Sequence, residues 1–141
     1  MATFEVTGFS EITESLRKGM EIPESVMDSM LDASAKIVIK AQEKTAATML
    51  SGPYSKGGTK EAVGPGRKKK LGDGKEMDIT FKGSRHRGNT TTRNAEIAFL
   101  NEYGKKGQPA RQFISKANEQ SADESTAAAE AVFHAWQDTV F

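Results

Sequence analysis

The chain has 141 residues, no cysteine and a formal net charge of +1. This length suits a single domain (residues 1–141) with one hydrophobic core, and the lack of cysteine excludes disulfides, thiolate metal sites and cysteine nucleophiles. The apolar runs are too short to span a bilayer, and the N-terminal residues lack the apolar stretch of a secretory signal. We therefore expect a protein made in a cytoplasm, with no membrane partner.

The small net charge conceals an uneven distribution along the chain. Residues 1–50 carry 8 acidic and 5 basic side chains, and residues 110–141 carry 5 acidic and 2 basic ones. Residues 51–93 carry 11 basic and only 4 acidic side chains. Because opposite charges attract, this layout predicts contact between the basic middle and the acidic ends, either within one chain or between copies.

The first fifty residues predict a short strand and two helices. Residues 3–9 alternate between apolar and polar side chains, as in a strand, and residues 11–18 predict a short helix. A long helix begins after Pro23 and runs to about Met49, with apolar residues at helical spacing. Acidic residues dominate its N-terminal half and lysines its later half, as the helix dipole favours.

The middle of the chain predicts a loop followed by a hairpin. Residues 51–75 are rich in glycine and lysine and have little to bury, which is typical of a long mobile loop. Residues 76–103 predict a β-hairpin. Apolar and polar side chains alternate strictly at residues 76–81, and residues 90–103 resemble a strand covered on both faces. A basic stretch at residues 82–89 would form the hairpin tip.

The last part of the chain, residues 109–141, predicts a helical segment that begins at Pro109. A polar stretch at residues 118–125 interrupts its apolar stripe, so the segment is either one long helix or two pieces bent near residues 122–125. The predicted fold class is α+β. A small antiparallel or mixed β-sheet packs against a long central helix and a long C-terminal helix, with an extended basic loop.

The sequence contains no nucleotide-binding or metal-binding motif that passes a spacing test. A P-loop needs Ser or Thr after its Gly-Lys pair, whereas Gly74-Lys75 is followed by Glu76. The two histidines, His86 and His134, are far apart and lack the spacing of helical metal ligands. We predict no cofactor and no metal site.

Catalytic arrangements are equally missing from the sequence pattern. Glu96 and Glu102 would lie about 20 Å apart on a strand, which is too far for paired-carboxylate catalysis. No serine sits in a Gly-x-Ser-x-Gly elbow. The sequence therefore predicts a protein that is not an enzyme and has no catalytic residues.

Basic side chains are the candidate contact residues. They are Lys56, Arg67, Lys68, Lys69, Lys70, Arg85, Arg87 and Arg111. Phosphate contacts need only positive charge and reach, and no aromatic residues are interleaved for base stacking. These residues belong either to solvated loops or to loops that face DNA or an acidic partner. Arg111 is expected to pair with Glu102 or with a neighbouring copy.

The sequence AFLNEYG at residues 98–104, followed by QPARQFI at residues 108–114, resembles a phage family pattern. It is the pattern of the tail-component family of long-tailed bacteriophages named for gene product ten of a lambdoid phage. That pattern is an apolar strand ending in Glu-Phe/Tyr-Gly, a short turn, and Pro-Ala-Arg-Pro-Phe-Leu at the start of a C-terminal helix. Gln112 stands where the family has its second proline. In this pattern, Phe113 and Ile114 would hold the helix against the sheet.

The resemblance implies a structural virion protein of the phage neck. Such tail completion or head–tail joining proteins assemble as a ring, commonly a hexamer, between the head connector and the tail tube. The implied partners are further copies of the chain, a head connector or stopper protein, a tail tube or tail terminator protein, and, through nonspecific contact, DNA in the channel. The implied location is the virion, with assembly in the host cytoplasm. The alternative is a nucleic-acid-binding module that uses the basic segment 56–93.

Overall fold

The computed structural model describes residues 22–50, 57–72, 74–87 and 89–140, and the side chains of Leu71 and Arg87 are not described. The predicted strand at 3–9 and helix at 11–18 lie outside these residues. The described elements are, in chain order, α1 (Glu24–Met49), α2 (Gly58–Ala62), β1 (Val63–Leu71), β2 (Gly74–Phe81), β3 (Ser84–Arg87), β4 (Thr90–Arg93), α3 (Asn94–Tyr103) and α4 (Phe113–Val140). The predicted α+β class, with two long helices and small antiparallel strand pairs, is confirmed.

The two long helices α1 and α4 pack along each other. Gln42 Nε2 donates a hydrogen bond to Asn118 Oδ1 at 3.0 Å, and Thr45 Oγ1 donates to the Phe113 carbonyl at 2.9 Å. Residues late in α1 therefore lie beside residues early in α4, so the helices run antiparallel. The prediction of a long helix after Pro23 is confirmed, since α1 spans Glu24–Met49.

Helix α4 is one continuous helix that begins at Phe113 rather than at Pro109. The polar stretch at residues 118–125 does not interrupt its buried stripe, which continues through Ser121 and Ser125. Their hydroxyls donate to backbone carbonyls of the preceding turn, at 2.8 and 3.0 Å. Because these buried hydroxyls have partners, small polar residues can occupy the contact face with α1.

The prediction of a mobile loop at residues 51–75 is wrong for the residues that the structure describes. Residues 58–62 form α2, and β1 pairs antiparallel with β2. Composition misled the prediction, because the glycines and lysines have specific places in the strand. A Cβ atom at Gly66 would lie 2.9 Å from the Asp78 carbonyl oxygen, so a glycine permits this close approach. Residues 51–56 lie outside the described residues.

The prediction of a single hairpin at residues 76–103 is also wrong. Strand β2 pairs with β1, β3 pairs with β4 in a separate two-stranded ribbon, and residues 94–103 form α3. Asn94 marks the change from strand to helix, since its backbone N–H donates to the Gly83 carbonyl and its side chain to the Lys82 carbonyl. The short apolar run at residues 97–100 predicted a buried strand, but an apolar run of this length occurs in both strands and helices.

The buried core lies where α1, α3, α4 and β2 meet. It contains Ala46, Leu50, Ala98 and Phe113. The Phe113 ring is fully buried and meets the Phe81 ring of β2 edge to face, with centroids 5.8 Å apart. The predicted role of Phe113 in holding the last helix against the sheet is confirmed.

Candidate assembly and nucleic-acid interface

Basic residues of strand β1 are paired with carboxylates of α1 and β2. Lys68 Nζ lies 2.9 Å from Asp32 Oδ1 on α1, and Lys69 Nζ lies 3.2 Å from Asp78 Oδ2 on β2. These successive lysines reach opposite faces because side chains alternate along a strand. Arg67, at the bulge in β1, is exposed and forms no ion pair with any described residue. Most of the predicted contact residues on β1 are therefore neutralised within the chain.

A second cluster joins the far end of the β1–β2 hairpin to the start of α1. Lys70 Nζ lies 3.2 Å from Glu24 Oε1, and Lys75 Nζ lies 2.7 Å from Asp28 Oδ1. The hydrogen bond from Lys70 and its charge lower the pKa of Glu24, and the hydrogen bond from Lys75 lowers the pKa of Asp28. The hydrogen bond to Asp28 in turn raises the pKa of Lys75. The expected contact between the basic middle and an acidic end occurs within one chain.

The β3–β4 ribbon has a different charge environment. Residues 82–93 contain one lysine, three arginines and no acidic residue. In the ribbon, Ser84 lies opposite Arg93 and His86 opposite Thr91. Because paired residues share a face, these four side chains lie on one face, and all four are exposed. We name these four residues the outer face of the ribbon.

Arg85 points to the other face of the ribbon and holds it against the helices. Its Nε donates a hydrogen bond to Asn94 Oδ1 at 2.7 Å, and its Nη2 donates to Thr59 Oγ1. The guanidinium lies so close to the backbone that a Cβ atom at Gly58 would come within 2.5 Å of Arg85 Nε. Arg85 was predicted as a partner or DNA contact. The structure instead places it as a half-buried link between the ribbon, α2 and α3.

Glu102 has a structural role that the sequence reasoning missed. Its side chain is buried, and its carboxylate accepts hydrogen bonds from Ile114 N at 2.7 Å and Ser115 N at 3.1 Å. The Ser115 hydroxyl also donates to it. Glu102 therefore satisfies free N–H groups in the first turn of α4, where a negative charge also suits the helix dipole. The expected ion pair between Arg111 and Glu102 is not formed, and Arg111 is exposed.

The turn between α3 and α4 has two residues with positive φ that bear on the family pattern. Gly104 has φ 80°, and a Cβ atom there would lie 2.7 Å from Ala110 N. Gln112 has φ 48°, whereas a proline ring holds φ near −65°. The residue that stands where the family has its second proline thus has a backbone conformation that proline cannot adopt.

Helix α3 presents an exposed aromatic pair. Phe99 is 59% exposed and Tyr103 is 68% exposed, and their ring centroids lie 4.7 Å apart. A shallow cavity of about 410 Å³ lies beside them, with Ile79, Ala98 and Ile114 among its lining residues. Contiguous exposed apolar surface of this kind marks interaction sites. We name Phe99 and Tyr103 the aromatic pair.

The structure thus divides the predicted contact residues by environment. Lys68, Lys69 and Lys70 are paired with carboxylates, and Arg85 is a structural link. Arg67 and Arg111 are exposed and have no ion pair among the described residues. Lys56 and the Arg87 side chain lie outside the described part.

Within the described ranges, no three or more His, Asp or Glu side chains come together as metal ligands would. No described helix has both the length and the apolar character needed to cross a membrane. Comparison of the chain with protein-family models, curated proteins and solved structures finds no match.

Proposed function

We propose that this chain is a structural virion protein of the neck of a long-tailed phage, a tail completion or head–tail joining protein. In this role it assembles as a ring between the head connector and the tail tube. Residues 98–114 resemble the phage tail-component family in sequence, although residues 98–103 belong to helix α3 and not to the strand of the family pattern. The proposal assigns the protein an assembly function with no catalytic step.

The observation that carries the proposal is the aromatic pair on α3. Phe99 and Tyr103 belong to the same stretch that resembles the family, yet both are largely exposed. Burying aromatic side chains dominates the energetics of many protein interfaces. A ring also requires a heterologous contact, in which one face of a copy meets a different face of the next. The aromatic pair is the face that we assign to the neighbouring copy.

Rigid attachment of α3 supports this assignment. The C-terminal end of α3 is held by the hydrogen bonds that backbone N–H groups in the first turn of α4 donate to the Glu102 carboxylate. The start of α3 is held by the bonds of Asn94 to Arg85 and to the Lys82 carbonyl. An interface built on a fixed helix loses less conformational freedom on association.

Native mass spectrometry of the purified protein, over a range of concentrations, tests the contact between neighbouring copies. The wild type is expected to form closed oligomers of one discrete size, and the double variant Phe99→Ser/Tyr103→Ser is expected to stay monomeric. The control Gln120→Ser, at an exposed position of α4, should assemble as the wild type does. Equal assembly of the aromatic variant and the wild type would refute the assigned face.

A nucleic-acid-binding module is the second candidate, and the β3–β4 ribbon favours it. Residues 82–93, which include the ribbon, contain four basic residues and no carboxylate. Strong, salt-sensitive binding of DNA by the monomer, with no oligomer at any concentration, would favour this candidate over the neck protein.

A further inference from the structure

The described basic residues differ in how much of their charge is available to a partner. The Nζ atoms of the lysines in the β1–β2 hairpin lie 2.7 to 3.2 Å from carboxylate oxygens. Lys82 and Arg93, at the base of the β3–β4 ribbon, are exposed and form no ion pair with a described residue. The charges of Lys82 and Arg93 are therefore available to a partner, whereas the lysines of β1 share theirs with carboxylates of the same chain.

We propose that the outer face of the ribbon, together with Lys82, binds the phosphate backbone of double-stranded DNA. The residues that carry the site are Lys82, His86 and Arg93, with hydroxyls from Ser84 and Thr91. This site differs from the predicted contact set, which named Arg85 and the lysines of β1. Double-stranded DNA as the ligand rests on the proposed function, in which a neck ring surrounds the DNA channel.

The chemistry of the outer face matches that of phosphate contacts. Guanidinium, ammonium and hydroxyl groups make most protein contacts to the DNA backbone. The His86 ring is hydrogen-bonded to the Thr91 hydroxyl, at 2.8 Å from Nδ1, which places a ring nitrogen and a hydroxyl side by side on this face. The ribbon has no Phe, Tyr or Trp for base stacking. Contacts to the phosphate backbone carry no sequence information, so the proposed binding is independent of sequence.

The geometry also presents this face outward. Arg85 bonds from the opposite face of the ribbon to Thr59 on α2 and to Asn94 on α3. The two faces of an antiparallel ribbon alternate residue by residue, so fixing Arg85 inward directs His86 and its neighbours away from the helices. The face is held in one orientation before any ligand arrives, which lowers the entropic cost of binding.

The experiment measures binding of the full-length protein to a short fluorescent DNA duplex of random sequence, by anisotropy at several salt concentrations. The double variant Lys82→Gln/Arg93→Gln is expected to weaken binding about tenfold or more and to reduce the slope of log K against log salt by about two. The matched control Lys36→Gln/Lys40→Gln removes the same charge from exposed positions of α1 and should stay within about twofold of wild type. Arg93→Lys, which keeps the charge, should retain binding.

Two results would overturn the inference. One is the absence of duplex binding at low salt. The other is an equal loss in the ribbon variant and in the α1 control, which would indicate only a general effect of net charge. Circular dichroism of each variant confirms that the fold is retained. If the wild type binds no DNA but still joins heads to tails, the inference fails and the proposed function stands.

Discussion

The two hairpins of this protein are both basic in sequence, yet they differ in what their charges contact. In the β1–β2 hairpin, Lys68, Lys70 and Lys75 reach the acidic first half of α1 and hold the strands on that helix. In the β3–β4 ribbon, Arg85 holds the inner side through hydrogen bonds to Asn94 and Thr59, and the outer face stays exposed. A basic segment can therefore act as internal structure or as a free surface, and its composition does not tell which.

The largest expected effect concerns the core to which the first hairpin is attached. Phe113→Ala removes a fully buried ring that packs on Phe81 of β2, and should lower the free energy of unfolding by about 3–5 kcal/mol. Phe99→Ala, on the exposed side of α3, should change it by less than about 0.5 kcal/mol. Urea unfolding of the two variants measures both. Similar losses for the two would contradict the assigned packing.

A smaller effect is expected at the link of the second hairpin. Arg85→Gln shortens the side chain and removes its bonds to Thr59 and Asn94, each of which involves a charged donor. We expect a loss of about 1.5–3 kcal/mol. Hydrogen exchange should become faster in β3 and β4, with little change in β1 and β2. Uniformly faster exchange in both hairpins would show that the ribbon is not separately attached.

Substitution of Glu102 tests whether its carboxylate stabilises the fold by accepting backbone hydrogen bonds rather than by pairing with a basic side chain. Glu102→Ala leaves the N–H groups of Ile114 and Ser115 without their acceptor, and should lower the free energy of unfolding by about 1–2 kcal/mol. Glu96→Ala, at an exposed position of the same helix, should have almost no effect. Thermal unfolding of both variants, with Arg111→Ala as a third, separates capping from ion pairing. A larger loss in Arg111→Ala than in Glu102→Ala would contradict the cap.

The smallest effect is the pH dependence of the ion cluster on the first hairpin. The folded-state pKa values of Glu24 and Asp28 are lowered. Their contribution to the stability of the fold is therefore complete above about pH 4 to 5, and it is lost as the pH falls through the folded-state pKa values. The pKa of Lys75 is raised, so its contribution is full below about pH 10 and is lost as the pH rises further.

The variant Lys75→Met measures how much this ion cluster contributes to thermal stability. The Tm difference between wild type and variant should be small but resolvable at pH 7 and low salt, and should shrink toward pH 3 and at high salt. Lys60→Met, an exposed lysine of α2 without an ion pair among the described residues, is the control and should show no such pH dependence. A difference that grows on acidification would contradict the assigned pairs.

Helical periodicity and strand alternation predicted the elements whose patterns are local. Such patterns predict the long helix α1, strand β2, and the positions of the partly buried Phe81 and the buried Phe113. Strand β1 could not be predicted in this way, because its lysines find carboxylates far away in the sequence, such as Asp32 for Lys68. Tertiary contacts decided that segment, whereas composition alone indicated a loop.

The candidate site was predictable only in part for a related reason. Sequence identified the basic residues, but strand register decides which face each occupies, and register requires knowledge of the partner strand. Once β3 and β4 pair, Arg85 faces Thr92 and turns inward, whereas Arg93 shares the outer face with Ser84. The cap by Glu102 escaped prediction because Glu102 lies eleven positions before Phe113, beyond the usual span of capping motifs.

The most direct test of the central claim is disruption of this gene in a phage or prophage that carries it, with electron microscopy of the lysate. A neck protein predicts filled heads and separate tails, restored to whole virions by the wild-type gene but not by the Phe99→Ser/Tyr103→Ser variant. Normal virions from the disrupted phage, with heads and tails joined, would contradict the account.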